Sequence, residues 1–217
     1  GIYIDYSGAG TVTTLTTITG SLFEKNTATG HGGAIYMDKG ELNIIDTAVI
    51  DNEAAYDGGG LKTYYPEALV TITGSTFANN SARQGGGMLI REGDVTLINS
   101  TLSGNRANST GEGGGGVYNQ NGSLELVNST VTDNYAFYYG GGIVQMNPIA
   151  STTISRSIIS GNIAVFGDAN EIRFLGGALI TGDHNVFGRG EQTNAAAFTG
   201  FTPGGTDVNA NSDAGNI

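Results

Sequence analysis

The chain has 217 residues, and its 9 Lys and Arg against 20 Asp and Glu give a net charge of −11. This balance disfavours nucleic acid as a partner, because phosphate recognition depends on many basic side chains. There is no cysteine, so disulfides and a cysteine nucleophile are excluded. No apolar run approaches the ~20 residues of a membrane-spanning helix, and we therefore expect no membrane span.

The chain opens at Gly1-Ile2-Tyr3 without an initiator Met, and this start resembles the tail of a glycine phrase that recurs further along. We therefore expect the sequence to be a trimmed or mature piece of a longer protein.

A glycine cluster followed by an apolar residue recurs along most of the chain, and Gly32-Gly33-Ala34-Ile35 is its first clear copy. The apolar residues that close these copies are Ile35, Leu61, Met88, Val117 and Ile143, separated by 26, 27, 29 and 26 residues. A fixed period in this range is typical of a solenoid.

A second phrase follows each glycine cluster and ends in asparagine. The six asparagines of this column are Asn26, Asn52, Asn80, Asn105, Asn134 and Asn162. In every copy, alanine follows two residues later, a large apolar residue lies three residues earlier, and a hydroxyl residue lies five residues earlier. We expect the stacked asparagines to form a structural ladder, because an unpaired buried amide costs roughly 1–3 kcal/mol.

The repeat is rich in Val, Ile, Thr and Tyr, alternates apolar with polar residues, and is broken by glycines, which favours strands over helices. Each unit is predicted to contain three short strands. Stacking of equivalent strands ~4.8 Å apart predicts an all-β parallel β-helix, and the general crossover rule favours right-handedness. We expect about seven turns of roughly 26–29 residues.

The repeat weakens towards the C-terminus. Gly176-Gly177-Ala178-Leu179 is interpreted as a seventh glycine phrase, and the pattern decays after Phe187. We therefore expect β-helix repeats over residues 1–188 and a polar cap or tail over residues 189–217.

The paired phrases resemble the GGA[ILV] and FxxN repeats of polymorphic outer-membrane proteins. Gly32-Gly33-Ala34-Ile35 and Gly176-Gly177-Ala178-Leu179 match the first motif, and Phe23-Glu24-Lys25-Asn26 and Phe77-Ala78-Asn79-Asn80 match the second. Elsewhere Phe becomes Val, Leu or Ile, and Ala becomes Gly, so the chain is similar to the wider group of right-handed β-helix surface proteins. The resemblance implies an extracellular or cell-surface location and an adhesive role.

The outer side of the first strand is the candidate binding surface. If Ile35 and its equivalents point inwards, alternation turns their neighbours outwards. One outward row is then Tyr3, Tyr36, Lys62, Leu89, Tyr118 and Val144, and the next is Asp5, Asp38, Tyr64, Arg91, Gln120 and Met146. The residues predicted to bind a glycan are Tyr3, Tyr36, Asp38, Lys62, Tyr64, Arg91 and Tyr118. The alternative is that the tyrosines only cover the sheet or pack against another protein.

A polysaccharide lyase or hydrolase is the enzymatic alternative. Such a site needs carboxylates and a base whose pKa its surroundings have shifted, and Asp38, Lys62, Arg91 and Glu92 lie on successive turns. Acids are sparse on this strand, however, and we assign no catalytic residue. His31 and His184 are interpreted as solvated turn residues.

Oxygen-bearing side chains alternate near the C-terminus, as they do in calcium loops. The candidate metal ligands are Asp207, Asn209, Asn211 and Asp213. Ser212 occupies the sixth position, where the calcium-binding hand requires glycine, so a polar tail without a cofactor is the competing interpretation.

The leading hypothesis is therefore a non-catalytic structural or adhesive solenoid. Two mechanisms compete within it. One is lateral binding of a glycan or cell-surface ligand through the tyrosine-bearing strands. The other is end-to-end self-association into a filament, because an uncapped β-helix exposes unpaired strand edges.

Overall fold

The computed structural model describes residues 1–5, 15–111, 113–204 and 206–211. The chain coils into about seven turns, and equivalent strands of successive turns pair in parallel to form four sheets. The predicted parallel β-helix is therefore confirmed.

The first sheet follows the glycine phrases and has eight strands. These are β1 (Ile2–Ile4), β5 (Ile35–Met37), β9 (Leu61–Thr63), β13 (Met88–Ile90), β17 (Val117–Asn119), β21 (Ile143–Gln145), β25 (Ile172–Phe174) and β28 (Phe198–Thr199). The second sheet has the longest strands: β2 (Leu15–Thr19), β6 (Gly40–Ile45), β10 (Ala68–Thr73), β14 (Asp94–Ile98), β18 (Ser123–Val127), β22 (Ser151–Ser155) and β26 (Ala178–Thr181).

The third sheet precedes the asparagine column. It contains β3 (Leu22–Glu24), β7 (Ala48–Ile50), β11 (Thr76–Ala78), β15 (Thr101–Ser103), β19 (Thr130–Thr132), β23 (Ile158–Ser160), β27 (Val186–Phe187) and β29 (Val208–Asn209). A short helix, α1, spans Asn194–Ala197.

The prediction of three strands per unit is wrong, because each of six turns adds a two-residue strand after its asparagine. This fourth sheet contains β4 (Thr27–Ala28), β8 (Glu53–Ala54), β12 (Ser81–Ala82), β16 (Arg106–Ala107), β20 (Tyr135–Ala136) and β24 (Ile163–Ala164). Two residues are too few to show alternation, so the alanine that recurs two residues after each asparagine was the only sign of this strand in the sequence.

The interpretation of Gly176-Gly177-Ala178-Leu179 as a seventh glycine phrase is also wrong. Its Ala178 begins a strand of the second sheet and pairs with Ser151. The corresponding strand of the first sheet begins at Ile172, which pairs with Ile143. Gly177 instead occupies the corner between the two sheets, where it has a φ of 94°.

The first glycine of each true phrase turns the chain into the first sheet. Gly32, Gly58, Gly85, Gly114 and Gly140 have φ between 61° and 68°. The glycine that follows lies against backbone: a Cβ at Gly86, for example, would collide with Arg106. Left-handed φ and close backbone approach both favour glycine, which explains the clusters.

The interior is filled by stacked apolar columns, including Ile35, Leu61 and Met88 of the first sheet. At the C-terminal end, Phe187, Phe198 and Phe201 pack edge to face with centroid distances of 5.1–6.2 Å. Residues 189–204 and 206–211 thus cover the end of the core with α1, β28, β29 and two phenylalanines.

The asparagine column forms a continuous hydrogen-bonded ladder. Each side-chain amide, from Asn26 to Asn134, donates to the amide oxygen of the asparagine on the next turn at 2.8–3.0 Å. The same oxygens also accept the preceding asparagine's backbone N–H. In the hydroxyl column, each backbone N–H likewise donates to the side-chain oxygen of the equivalent residue on the next turn. This series continues through Asn185 to Asp207.

The ladder ends on a buried carboxylate. Glu171 Oε2 accepts from Asn162 Nδ2 at 2.6 Å and from the Asn162 N–H at 3.3 Å, while Oε1 accepts from the Gly161 N–H at 3.0 Å. Burial raises the pKa of Glu171 to about 7, although these donors oppose the rise. Glu171 thus takes the place that the next asparagine of the column would fill.

Candidate functional site

A row of tyrosines lies on the outer side of the first three turns. Tyr3 pairs in register with Tyr36, and their rings stack at 5.1 Å with an interplanar angle of 21°. Tyr36 is 6.2 Å from Tyr64, which in turn contacts the edge of Tyr65 at 4.7 Å. We call the surface formed by Tyr3, Tyr36, Tyr64, Tyr65 and Arg91 the tyrosine face. Tyr3 and Tyr36 are the central residues of β1 and β5, and they point outwards because successive residues of a strand point to opposite sides.

The phenol groups of Tyr3 and Tyr36 remain neutral at physiological pH. The Tyr3 hydroxyl donates to Asp38 Oδ2 at 2.7 Å, and this hydrogen bond is the main cause that raises the pKa of Tyr3 to about 12. Burial, followed by the charge of Asp38, raises the pKa of Tyr36 as well. Both hydroxyls are therefore hydrogen-bonding groups and not bases.

Lys62 does not lie on the exposed surface, so the prediction for this residue is wrong. It is only 3% exposed, because its ammonium group turns sideways to Asp57 Oδ2 and His31 Nδ1, both at 2.9 Å. Burial lowers the pKa of Lys62, although Asp57 opposes the change. The Lys62 Nζ also lies 5.8 Å from the Tyr64 ring centroid.

His31 is part of this group and is not a freely solvated turn residue. Burial and the Lys62 charge lower the pKa of His31. His31 Nδ1 lies 2.9 Å from Lys62 Nζ and 3.0 Å from Asp57 Oδ2, and because the ring is neutral, its contact with Asp57 is not an ion pair. The sequence offered no signal for this contact, because 31 residues separate the two partners.

Tyr118 is also buried, at 4% exposure, which contradicts its predicted place on an open surface. It packs with Leu89, Val144 and the partly buried Met146. Equivalent residues on successive turns lie only one strand spacing apart, so large side chains of one row cover each other. The accessible tyrosines of the predicted face therefore lie on the first three turns, and Arg91 adjoins them from the fourth.

Two arginines extend the tyrosine face. The Arg91 guanidinium lies 4.1 Å from the Tyr64 ring centroid, and that of Arg83 lies 5.4 Å from Tyr56. Arg91 follows its first-sheet strand, as predicted. Arg83 and Tyr56 lie in the loops that precede the glycine phrases, and sequence reasoning missed them because these loops vary in length.

The candidate calcium ligands take part in hydrogen bonds at the C-terminal end. Asp207 Oδ1 accepts from both nitrogens of Asn185 at 3.1 and 2.9 Å. Asn209 Oδ1 accepts from the Asn211 N–H, and Asn211 Oδ1 accepts from the Arg189 N–H, each at 3.1 Å. Asp213 lies outside the described residues, and calcium binding by this segment stays a prediction.

Among the described residues, no three His, Asp or Glu side chains lie close enough together to hold a metal ion. No helix in the described part of the chain has the length and apolar character needed to cross a membrane.

A family model for the right-handed β-helix region matches residues 1–187, and the chain belongs to this family. The match covers all turns up to β27 and agrees with the parallel coil and four-sheet cross-section described above. No curated protein and no solved structure matches the chain.

Proposed function

We propose that this chain is a non-catalytic adhesive module of the cell surface or extracellular space, which binds glycans through the tyrosine face. The observation that carries the proposal is the axial row of Tyr3, Tyr36 and Tyr64, flanked by Asp38 and Arg91. Aromatic rings offer apolar contact surface with a polar group at one end, and few well-placed polar groups give a site its specificity.

The shape of the surface supports this proposal. A shallow depression of about 430 Å³ is lined by Tyr3, His31, Tyr36 and the adjoining glycine turn. The rings are held by a sheet in which every strand pairs with its equivalents, so little ordering is needed on binding. Preorganisation of this kind reduces the cost of association.

Catalysis is less well supported than binding. A lyase needs a group that can reach the substrate and take a proton near the working pH. Lys62 is nearly inaccessible, and the phenols of Tyr3 and Tyr36 have raised pKa values. These properties favour a surface that holds a glycan without cleaving it.

Lateral binding is also favoured over end-to-end assembly. A filament needs strand edges and apolar columns to be open at both ends of the solenoid. At the C-terminal end, Phe198 and Phe201 cover the last core layer, formed by Phe187. We therefore place the adhesive function on the side of the solenoid.

The test is binding of the purified chain to a panel of immobilised neutral and acidic oligosaccharides, with released sugars assayed in parallel. Tyr36→Ala is expected to weaken binding at least tenfold, because it removes the central ring of the row. Tyr135→Ala is the matched control, since Tyr135 is a partly buried tyrosine of the fourth sheet that contacts Arg106 instead.

Unchanged binding by Tyr36→Ala, or no binding across the whole panel, would contradict the proposal. Release of oligosaccharides by the wild-type chain would replace it with the enzymatic alternative. Circular dichroism of each variant checks that the β-helix is intact.

A further inference from the structure

We propose that the tyrosine face selects glycans that carry an anionic group, either carboxylate or sulfate, and that Arg83 and Arg91 hold this group. The inference rests on the glycan-binding function proposed above and defines its ligand class. It follows from the contacts of the two guanidinium groups with tyrosine rings.

Both arginines are held in place but not neutralised. Each lies against a tyrosine ring, Arg91 on Tyr64 and Arg83 on Tyr56. Neither side chain has a hydrogen bond or ion pair with another residue in the described part of the chain. Ring contact fixes a guanidinium plane while its N–H edges stay available, and these edges match a carboxylate or sulfate in a two-point contact.

The neighbouring charges do not offset these two cations. Lys62 and Asp57 pair with each other at 2.9 Å, and the lowered pKa of His31 keeps that ring neutral. Asp38 keeps its negative charge but lies on the first turns, where it accepts from the Tyr3 hydroxyl. Around Lys62, the two arginines are therefore the cations that have no acidic partner among the described residues.

The two arginines act on the same region of the surface. Lys62 Nζ lies 5.8 Å from the Tyr64 ring that carries Arg91, and its neighbour His31 lies 5.5 Å from the Tyr56 ring that carries Arg83. The positive charge of each arginine also contributes to lowering the pKa of Lys62. An anion bound there would offset the repulsion that the two guanidinium groups exert on Lys62. The same contact would gain strength from the partial burial around Lys62, because screening by water is weaker there.

The experiment uses two matched pairs of probes. Oligogalacturonate is compared with its carboxyl-reduced form, and dextran sulfate is compared with dextran of the same length. We expect the acidic member of at least one pair to bind at least tenfold more tightly than the neutral member. The pair that shows the difference distinguishes carboxylate from sulfate as the group recognised.

Arg91→Gln and Arg83→Gln are each expected to weaken binding of the acidic probe about tenfold or more and to weaken binding of the neutral probe much less. Arg106→Gln is the control, because Arg106 also lies on a tyrosine ring, at 4.2 Å, but on the fourth sheet and with its Nε donating to Asn108. Raising the salt concentration should reduce the preference of the wild-type chain for the acidic probe. It should have less effect on the double variant that carries both Arg83→Gln and Arg91→Gln.

Equal affinity for acidic and neutral probes, or full acidic binding by the double variant, would overturn this inference and leave the proposed glycan-binding function intact. Failure of every probe to bind would overturn both.

Discussion

At the scale of single residues, one backbone position recurs with left-handed geometry at the corner between the second and third sheets. The residues at this corner are Gly20, Asp46, Gly74, Asn99, Asn128, Arg156 and His184, with φ between 48° and 64°. Glycine, asparagine, aspartate and histidine tolerate this region, whereas other residues are disfavoured there. Arg156 therefore occupies a corner that is unfavourable for its backbone.

Arg156→Asn is expected to stabilise the chain by about 0.5–1 kcal/mol, because asparagine adopts the left-handed region more readily. The new amide would also follow Asn128, whose own amide donates to Asn99 at 2.6 Å. Urea unfolding measures the change. Arg106→Asn, in a strand, is the control and should not stabilise; a similar gain from both variants would rule out the backbone explanation.

Glu171 makes stability depend on pH. Its pKa of about 7 in the folded chain lies above the ordinary glutamate value of 4.5, so the folded state binds the proton more tightly than the unfolded state. The contribution of Glu171 to stability is therefore fully present at low pH and is lost as the pH rises from about 4.5 to 7. At 1.36 kcal/mol per pKa unit, the loss is roughly 3 kcal/mol.

Glu171→Gln is expected to remove most of this pH dependence, because the amide cannot ionise and its oxygen can still accept from Asn162. Urea unfolding at several pH values between 4.5 and 7.5 measures the slope. Glu125→Gln, at an exposed position of the second sheet, is the control and should retain it. A wild-type slope in Glu171→Gln would assign the pH dependence to another group.

At the scale of elements, the asparagine ladder joins successive turns through buried side chains. Asn105 accepts from the N–H and the side chain of Asn80, and it donates to the Phe77 carbonyl and to Asn134. One side chain thus joins its own turn to polar groups on the turns before and after it.

Asn105→Ala is expected to destabilise the chain by about 3 kcal/mol or more, because it leaves several buried polar groups unpaired at about 1–3 kcal/mol each. The free energy of unfolding in urea measures the effect. Asn108→Ala, at an exposed position, should change stability by about 0.5 kcal/mol or less. If the two variants were equally stable, the ladder would not contribute as described.

The elements show which sequence patterns could be interpreted and which could not. The asparagine spacing predicted the stacking of turns, since six copies share one position. Glu171 occurs once, so no column indicated that it replaces an asparagine. The Gly176-Gly177 pair has the composition of a true phrase, yet the pairing of Ile172 with Ile143 sets the register of that turn.

At the scale of the whole molecule, the sequence predicted the solenoid because a period fixes the architecture regardless of local detail. The accessible surface was harder to predict, since it depends on contacts between side chains of different turns. Alternation alone placed Lys62 and Tyr118 on the outside. Neither the sideways ion pair of Lys62 nor the packing of Tyr118 on Leu89 follows from alternation.

The purified chain is expected to form short rods and no long fibres, because a filament needs junctions at both ends of each subunit and the C-terminal end is covered. Sedimentation across a concentration series, with negative-stain electron microscopy of the same samples, measures this. A single monomer-sized species agrees with lateral function. Long uniform fibres would instead show that the ends associate.

The asparagine ladder also has a polarity. In each link of the column, the amide oxygen faces the preceding turn and one amide N–H faces the following turn, so the side-chain dipoles add along the axis, as backbone dipoles do in a helix. At the end where the N–H groups point, the column meets the Glu171 carboxylate. At the opposite end, the Asn26 oxygen accepts from the Gly1 nitrogen at 2.7 Å. Each end of the column thus meets a group of the polarity that its dipole favours.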